Sequence, residues 1–360
     1  MQTMIDSGRP VRSDISTFSE KLLDWYDQFG RKDLPWQQHA DPYRIWISEI
    51  MLQQTQVNTV IPYYQRFMLC FPDIHSLASA SIDEVLALWT GLGYYARAHH
   101  CHQAAQRIVT IYQGQFPRQF DTLLSLPGIG RSTAGAIMAL AWHQPYPILD
   151  GNVKRVLTRY FALAGWPGKK TVENQLWALA EQLLPATRIA NYIQAQMDLG
   201  ATVCLRRNPH CHSCPLHASC QAFLTDSAHL FPTPRPKKVI PEKKVHWLIA
   251  ISDRQKVLLT QRPSTGIWGG LWAFPEFNCQ KDVSHFIDTH FPDATASMTA
   301  QPDFQHVFTH FKLTIFPHLV ACPPPIQALP GNNPLRWYKI AQALQLGLPA
   351  PVKAFLQSIE

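Results

Sequence analysis

The sequence predicts a multidomain protein in which an all-α domain is followed by a smaller α+β domain. Three observations support this expectation. The chain has 360 residues, more than the roughly 100–200 residues that one domain usually occupies. Apolar residues recur at three- and four-residue spacings through 18–200, as they do on one face of a helix. Beyond residue 244 the pattern changes to short, strand-like apolar runs separated by polar turns.

The helical domain is expected to span 18–203, and its clearest helix covers 153–161. A segment over 221–244 is rich in proline and basic residues, which predicts a semi-extended linker and a domain boundary. The α+β domain then covers 245–360. Its strands are expected at 245–251, at 256–260 and within 304–320.

The composition favours a soluble, intracellular protein. Hydrophobic residues make up 46% of the chain and charged residues 16%, which argues against wholesale disorder. No stretch reaches the roughly 18 uncharged apolar residues of a membrane span. Residues 1–17 are a polar tail that lacks the apolar segment of a secretory signal. We therefore expect a cytoplasmic protein.

The net charge of +7 favours a polyanionic partner but does not establish one. Residues 1–230 contain 19 Lys and Arg against 17 Asp and Glu, a net of +2, whereas 231–360 contain 13 against 8, a net of +5. Much of the second excess lies in the proline-rich segment. Net charge alone therefore leaves nucleic acid as one candidate partner, and only the sequence motifs can identify the partner.

Four cysteines share one window with the spacing C-x6-C-x2-C-x5-C: Cys204, Cys211, Cys214 and Cys220. Thiols this close can surround one metal centre, and disulfides are disfavoured inside the cell. The candidates are a [4Fe–4S] cluster and a zinc site. Zinc sites usually pair two short C-x2–4-C steps, and this window has one, so the spacing favours iron–sulfur. Three neighbouring histidines keep zinc open: His210, His212 and His217.

The remaining cysteines are scattered along the chain. They are Cys70, Cys101, Cys279 and Cys322. We expect each of them to be a buried structural thiol.

The segment LPGIGRSTA at 126–134 separates two helical segments. Gly128 and Gly130 allow a tight turn and the close approach of another backbone. Ser132 and Thr133 are candidate caps for the following helix. Free N–H groups at such a helix start can bind a phosphate oxygen. On its own, the segment is equally well explained as an ordinary glycine turn between packed helices.

Asp150 follows Gly130 by twenty residues and directly precedes an amphipathic helix. Considered alone, it is best explained as a helix cap. The hairpin, this aspartate and the cysteine window nevertheless occur in one order that resembles the helix–hairpin–helix DNA glycosylases with an iron–sulfur cluster. This resemblance implies a [4Fe–4S] cluster on the four cysteines. It also implies a catalytic role for Asp150.

Four further segments resemble the adenine-specific, MutY-type branch of that family. They are RKDLPW at 31–36, ISEIMLQQTQV at 47–57, GLGYYAR at 91–97 and ILDGNV at 148–153. The resemblance covers roughly 18–360. It implies a monomeric DNA repair enzyme that hydrolyses the glycosidic bond of adenine opposite 8-oxoguanine or guanine in double-stranded DNA.

The resemblance also assigns the chemistry. Glu49 would protonate N7 of adenine and serve as base for the incoming water, since its apolar neighbours raise a carboxyl pKa. Asp150 would stabilise or bond to the oxocarbenium-like sugar carbon, as in retaining glycosidases. Asn152 would orient Asp150. Without the resemblance, Glu49 would be an ordinary surface carboxylate on a helix.

Bifunctional relatives similar to endonuclease III have a lysine where this chain has Ser132. Arg131 cannot replace it because a guanidinium stays protonated. We therefore expect base removal without efficient strand cleavage, with Lys154 as the source of a slow side reaction.

A further set of residues is implied to contact DNA. Gln54 would fill the gap left by the extruded adenine, and Tyr94 would insert beside 8-oxoguanine. The full set in the helical domain is Arg31, Gln53, Gln54, Tyr94, Gly128, Gly130 and Ser132. In the cysteine loop, Arg206 and Arg207 are expected to lie near phosphate.

Residues 245–360 resemble the Nudix-like domain of this branch, on the segment QRPSTGIWGGLWAFP at 261–275. A Nudix hydrolase needs paired glutamates, and this chain offers only Glu276, Asp282 and Asp288 at that point, so we expect no nucleoside triphosphate hydrolysis. The candidate 8-oxoguanine contacts are Phe308, Thr309 and His310. Bacterial members usually have Ser where this chain has Thr309. Without the resemblance, Phe308, Thr309 and His310 would be interpreted as part of an alternating strand.

Three other functions remain open on the residues. The first is a bifunctional pyrimidine glycosylase, which Ser132 and the appended domain disfavour. The second is an electron-transfer protein, which the single cluster motif disfavours. The third is a non-enzymatic DNA-binding module, which the intact Glu49 and Asp150 disfavour.

Overall fold

A computed structural model describes residues 12–236, 239–252, 255–291, 298–321 and 335–359, with side chains from Thr17 onward. The first of these ranges is helical. Its helices are α1 (Arg12–Phe29), α2 (Pro42–Leu52), α3 (Val57–Cys70), α4 (Ile74–Ser79), α5 (Ile82–Trp89), α6 (Ala96–Tyr112), α7 (Phe120–Leu124), α8 (Arg131–Trp142), α9 (Gly151–Tyr160), α10 (Lys170–Gln182), α11 (Ile189–Thr202) and α12 (Gln221–Leu224).

The later ranges form an α+β structure, as predicted. Its strands are β1 (Glu242–Ile251), β2 (Lys256–Gln261), β3 (Trp272–Ala273), β4 (Glu276–Phe277), β5 (Thr299–Ala300), β6 (Phe304–Val307), β7 (Lys312–Ala321) and β8 (Leu335–Lys339). Its helices are α13 (Gln280–His290), α14 (Ile340–Ala343) and α15 (Ala350–Ser358). Strands β1 and β7 pair in parallel at the centre, and the other described pairings are antiparallel.

Helix α9 illustrates how the sequence sets the elements. Asp150 is its N-cap and accepts a hydrogen bond of 2.8 Å from the backbone N–H of Val153. The apolar face predicted from spacing is buried, with Val153 and Leu157 fully inaccessible to solvent. This face packs into a core that also contains residues of α1 and α11, and Gly200 of α11 lies against Asn152 at the start of α9, next to Asp150.

The described residues fall into two compact units. One comprises those within Met1–Tyr64 and Arg107–Lys237, and the other those within Gln65–Gln106 and Lys238–Glu360. The second unit therefore contains α4, α5 and the first part of α6 together with the sheet. The predicted bounds, 18–203 for the helical domain and 245–360 for the α+β domain, do not anticipate this grouping.

Several local expectations need correction. Helix α1 begins at Arg12, inside the predicted tail. The N-cap of α8 is Gly130 and has no side-chain cap, so the prediction that Ser132 or Thr133 caps this helix was wrong. Within the residues described, no helix is long and apolar enough to cross a membrane.

The scattered cysteines also differ from expectation. Cys101 is buried, as predicted, but Cys70 and Cys279 are exposed. Cys70 is the last residue of α3 and Cys279 precedes α13, and each lies at an element end where packing ceases. Cys322 lies outside the described residues.

Candidate active site

Glu49 lies near the end of α2, between the buried residues Ser48 and Ile50. Its side chain keeps part of its surface accessible. Burial of its carboxyl group, followed by the negative charge of Asp150, raises the pKa of Glu49 to about 8. A carboxyl group with this pKa holds its proton at neutral pH and can act as an acid.

Asp150 lies close enough to Glu49 to influence its ionisation, although the two residues are a hundred positions apart in the chain. Burial raises the pKa of Asp150, and hydrogen bonds from the N–H groups of Val153 and Asn152 oppose that rise. Donors aimed at a carboxylate favour its charged form. The two carboxyl groups therefore differ: the N–H donors at the start of α9 favour the charged form of Asp150, whereas burial and the charge of Asp150 favour the protonated form of Glu49.

The side chain of Asn152 lies between Asp150 and Arg155 and contacts both. Its amide hydrogen-bonds Asp150 and lowers the pKa of that carboxyl. Its Oδ1 accepts a hydrogen bond of 2.8 Å from Nη2 of Arg155. Since the oxygen is engaged by Arg155, the amide N–H side is the one turned to Asp150. The side chains of Asn152 and Asp150 are therefore in contact, and the orienting role of Asn152 stays a prediction.

Arg155 was not identified from the sequence. Its Nη2 also donates to the carbonyl of Gly200 at 2.6 Å, and its Nε donates to the carbonyl of Cys204 at 2.7 Å. A Cβ on Gly200 would lie 2.5 Å from Cβ of Asn152, so only glycine lets α11 approach this closely. The arginine thus joins the aspartate, helix α11 and the start of the cysteine loop.

The glycine hairpin lies at the start of α8. Gly128 has a φ of +75°, which favours glycine. A Cβ on Gly130 would meet no protein atom within 4 Å, so this face of the turn is open. The hydroxyl of Ser132 accepts a hydrogen bond of 3.0 Å from the backbone N–H of Leu149 and fixes the segment that leads to Asp150.

Three other predicted contact residues have distinct settings. Gln53 ends α2, and its amide approaches the Thr133 hydroxyl at 3.5 Å. Gln54 is exposed and has a φ of +57°, a conformation that non-glycine residues adopt at a cost. Arg31 forms an ion pair with the buried carboxylate of Asp198, with Nη2 at 2.6 Å from Oδ1. Its positive charge is therefore largely compensated within the protein.

The four cysteines of the 204–220 window line one cavity of about 420 Å³, a volume that includes its opening. The buried Arg159 of α9 reaches this cavity and donates from Nη1 to Sγ of Cys204 at 3.3 Å. A cationic donor beside a sulfur suits a thiolate. In the part of the chain described here, no three His, Cys, Asp or Glu side chains meet closely enough to hold a single metal ion.

The second compact unit contains the remaining predicted residues. Phe308, Thr309 and His310 lie in the tight turn between β6 and β7, closed by a hydrogen bond of 2.9 Å from the N–H of Phe308 to the carbonyl of Phe311. They are therefore not part of an alternating strand. Phe308 is half-buried, whereas the other two are exposed. Tyr94 is 44% exposed and has a φ of +50°.

Comparisons with known proteins agree with these features. Residues 47–182 match the HhH-GPD superfamily of base excision DNA repair proteins, and residues 246–358 match the NUDIX domain family. An adenine DNA glycosylase of Buchnera aphidicola subsp. Acyrthosiphon pisum is 40% identical over 95% of this chain and 97% of its own length. The adenine DNA glycosylase of Mus musculus is 34% identical over 92% of this chain and 76% of its own length.

Among solved structures, a thermostable thymine-DNA glycosylase is 28% identical, with a TM-score of 0.53 over 59% of this chain and 98% of the other. The shared part shows that the helical fold is that of the DNA glycosylases. The identity to these relatives over most of the chain and the two domain matches lead to one conclusion. The chain belongs to the adenine DNA glycosylase family of base excision DNA repair enzymes.

Proposed function

We propose that this chain hydrolyses the N-glycosidic bond of adenine paired with 8-oxoguanine or guanine in double-stranded DNA, leaving an abasic site and an intact strand. The observation that carries the proposal is the carboxyl pair, in which burial and the charge of Asp150 raise the pKa of Glu49 to about 8. Two carboxyl groups in one site, one protonated and one ionised, are what glycosidic cleavage requires.

The reaction begins with proton transfer from Glu49 to N7 of adenine, so that the base departs neutral. The bond between N9 and C1′ breaks, and its electron pair leaves with adenine. Asp150 stabilises the positive charge that develops at C1′, or bonds to that carbon, as the second carboxylate does in retaining glycosidases. Glu49, now ionised, accepts a proton from the water that attacks C1′, which restores both groups.

The absence of strand cleavage follows from what the nearby side chains are. Ser132 has no amine, and its hydroxyl is engaged with the N–H of Leu149. Lys154 is the nearest lysine to Asp150 in sequence, and its ammonium is paired with Glu173 at 2.8 Å. An ammonium in an ion pair is a poor nucleophile, so Schiff-base formation through Lys154 is at most a slow side reaction.

DNA binding is assigned to the open face of the hairpin, where the N–H groups at the start of α8 donate hydrogen bonds to phosphate oxygens. Gln53 and Gln54 act on the duplex where adenine is extruded, a step that costs a few kcal/mol, and Tyr94 inserts beside 8-oxoguanine. Arg31 is also assigned to the DNA contacts, while its guanidinium pairs with Asp198. Arg206 and Arg207 are exposed on the cysteine loop and available to phosphate.

We assign a [4Fe–4S] cluster to Cys204, Cys211, Cys214 and Cys220. The donor set fits, since four thiols line one cavity and Arg159 supports a thiolate at Cys204. When bound, the cluster supplies structural cross-linking of the loop rather than chemistry on the base. Zinc is the alternative, and metal analysis of purified protein separates the two.

Recognition of 8-oxoguanine is assigned to the turn with Phe308, Thr309 and His310. Thr309 and His310 are exposed, and Oγ1 of Thr309 lies 3.4 Å from Nδ1 of His310. We place the enzyme in the cytoplasm, acting on chromosomal DNA as a monomer.

The test is single-turnover base release on a duplex that carries one adenine opposite 8-oxoguanine. Half of each sample is treated with hot alkali, which breaks the strand at abasic sites. The proposal expects breaks only after alkali, and faster release than from adenine opposite guanine. Breaks without alkali would show a lyase. No breaks in either half, with DNA binding intact, would make this chain a non-enzymatic DNA-binding module.

A further inference from the structure

We propose that His99 is a positioning residue that fixes Tyr94 relative to the turn of Phe308, Thr309 and His310. Tyr94 and this turn then contact 8-oxoguanine in a fixed mutual arrangement. The contact at His99 thereby contributes to the preference for adenine opposite 8-oxoguanine over adenine opposite guanine. This inference rests on the proposed function. It concerns the second compact unit alone.

Within that unit, the segment 65–106 is fastened to the α+β structure by polar contacts. The Nε2–H of His99 donates to the carbonyl of Gly269 at 3.0 Å. The side-chain amide of Gln261 donates to Asp83 at 2.8 Å, and also approaches the carbonyl of Gly270 at 3.3 Å. These contacts are partly removed from solvent, where a lost hydrogen bond is costly.

The α+β structure is shaped to receive His99. A Cβ on Gly270 would lie 2.8 Å from the imidazole ring of His99 and 3.1 Å from Leu86, and the φ of Gly270 is +75°. Both the conformation and the space therefore require glycine. Gly269 and Gly270 of the WGG sequence at 268–270 thus have a specific role in accommodating this histidine.

On the helical side, His99 belongs to the same first turn of α6 as Arg97. Arg97 donates from Nη2 to the carbonyl of Gly93 at 3.1 Å, and its guanidinium lies 5.7 Å from the centre of the Tyr94 ring. Tyr94 itself is held in a left-handed conformation at φ +50°. Such a conformation persists only where the surroundings fix it, and Arg97 and the start of α6 supply that support.

On the other side, Gly269 follows Trp268, which is 7% exposed. The ring centres of Trp268 and Phe308 lie 5.3 Å apart, within the range of aromatic contact. Trp268 also lies 5.4 Å from His306 at the end of β6. A series of contacts and adjacent residues therefore joins Tyr94 to Phe308, and in this series the hydrogen bond of His99 links α6 to the loop between β2 and β3.

The test compares single-turnover adenine release opposite 8-oxoguanine and opposite guanine at saturating enzyme. His99→Ala should lower the ratio of the two rates about threefold to tenfold, the effect of one lost hydrogen bond. His99→Gln, whose amide can donate to the same carbonyl, should restore much of the ratio. His100→Ala, at the exposed neighbouring position of α6, is the matched control and should leave it unchanged.

A double-mutant cycle separates positioning from general destabilisation. If His99 acts through Tyr94, His99→Ala should have little further effect on the ratio in a Tyr94→Ala background. A full additional loss there, or an unchanged ratio in folded His99→Ala, would overturn the inference. Gln261→Leu removes the neighbouring contact and should act in the same direction, which keeps the test decisive if His99→Ala folds poorly. A wild-type enzyme that releases no adenine, or shows no preference, would instead refute the proposed function.

Discussion

Nη2 of Arg155 donates a hydrogen bond of 2.8 Å to Oδ1 of Asn152, and the same guanidinium binds the carbonyl of Cys204 through Nε at 2.7 Å. Asn152 in turn hydrogen-bonds Asp150. The carboxylate assigned to the sugar and the backbone of the first cysteine of the proposed cluster are therefore joined by three contacts, through Asn152 and Arg155. The cysteine loop thus helps to determine how Asp150 is oriented.

Arg155→Met should slow base release because Asn152 loses the partner that fixes its amide. We expect a decrease on the order of tenfold, which is the effect of one hydrogen bond to a charged group. Single-turnover rates at saturating enzyme measure it without interference from DNA affinity. Arg188→Met is the matched control, since this arginine pairs with Asp27 in an exposed ion pair. Equal rates for wild type and Arg155→Met would remove this arginine from the site.

Gly130→Ala should weaken DNA binding while leaving the fold unchanged. A Cβ at this position meets no protein atom within 4 Å, and Gly130 has a φ of −91°, which alanine adopts readily. The methyl group would instead occupy the space assigned to phosphate. Fluorescence anisotropy with an abasic duplex, beside a melting curve, measures both effects. Gly135→Ala provides the contrast, because its Cβ would lie 2.3 Å from the carbonyl of Pro147 and should lower the melting temperature. Unaltered DNA affinity in Gly130→Ala would place the phosphate elsewhere.

Cys204→Ser should lower both the iron content and the yield of folded protein, because the loop loses one of four ligands. Iron and zinc are measured together on the purified protein by elemental analysis. Cys279→Ser is the control, as this cysteine is exposed and lies outside the cysteine window. Iron retained at the wild-type level in Cys204→Ser would exclude this residue from the ligand set, and zinc in place of iron would correct the cofactor.

Glu49→Gln should become more stable than wild type as the pH rises from about 5 to about 8. The pKa of Glu49 is raised from 4.5 to about 8 in the folded protein. Between these values the unfolded chain has released the proton and the folded chain retains it, so wild-type stability falls with pH and levels off above about 8. Glutamine has no proton to lose. Denaturant titrations at pH 5 and pH 8 should show a relative gain on the order of 3 kcal/mol, because each pH unit between the two pKa values changes the free energy of unfolding by about 1.4 kcal/mol. A gain that is the same at both pH values would mean that Glu49 ionises normally.

The sequence predicted the order of the two domain types, the strands near 245, 256 and 304, and the amphipathic helix after Asp150. These features depend on local spacing, which a single chain displays directly. The start of α8 was harder to predict. Serine is a residue type that often caps helices, which is why Ser132 was predicted to do so. Its hydroxyl instead accepts a hydrogen bond from the N–H of Leu149, seventeen residues later, and Gly130 occupies the N-cap position.

Contacts between distant segments could not be predicted in this way. Arg155 is one of several basic residues after Asp150, and only the fold shows that it meets both Asn152 and the carbonyl of Cys204. The raised pKa of Glu49 also depends on a contact that only the fold brings about. Its apolar sequence neighbours indicated burial, whereas the contribution of Asp150 depends on an approach across a hundred residues. His99 has no motif of its own, and its partner Gly269 is 170 positions away.

The pH dependence of single-turnover adenine release from the 8-oxoguanine duplex tests the central claim, that Glu49 donates a proton beside an ionised Asp150. The wild-type rate should be maximal near neutral pH and should fall as the pH rises through about 8, because Glu49 loses its proton. It should also fall in acid, where Asp150 becomes protonated at a pH above the ordinary aspartate range. Glu49→Gln and Asp150→Asn should each remove most of the activity while DNA is still bound. A wild-type profile that is flat through pH 8, or near-normal release by either variant, would contradict the assignment.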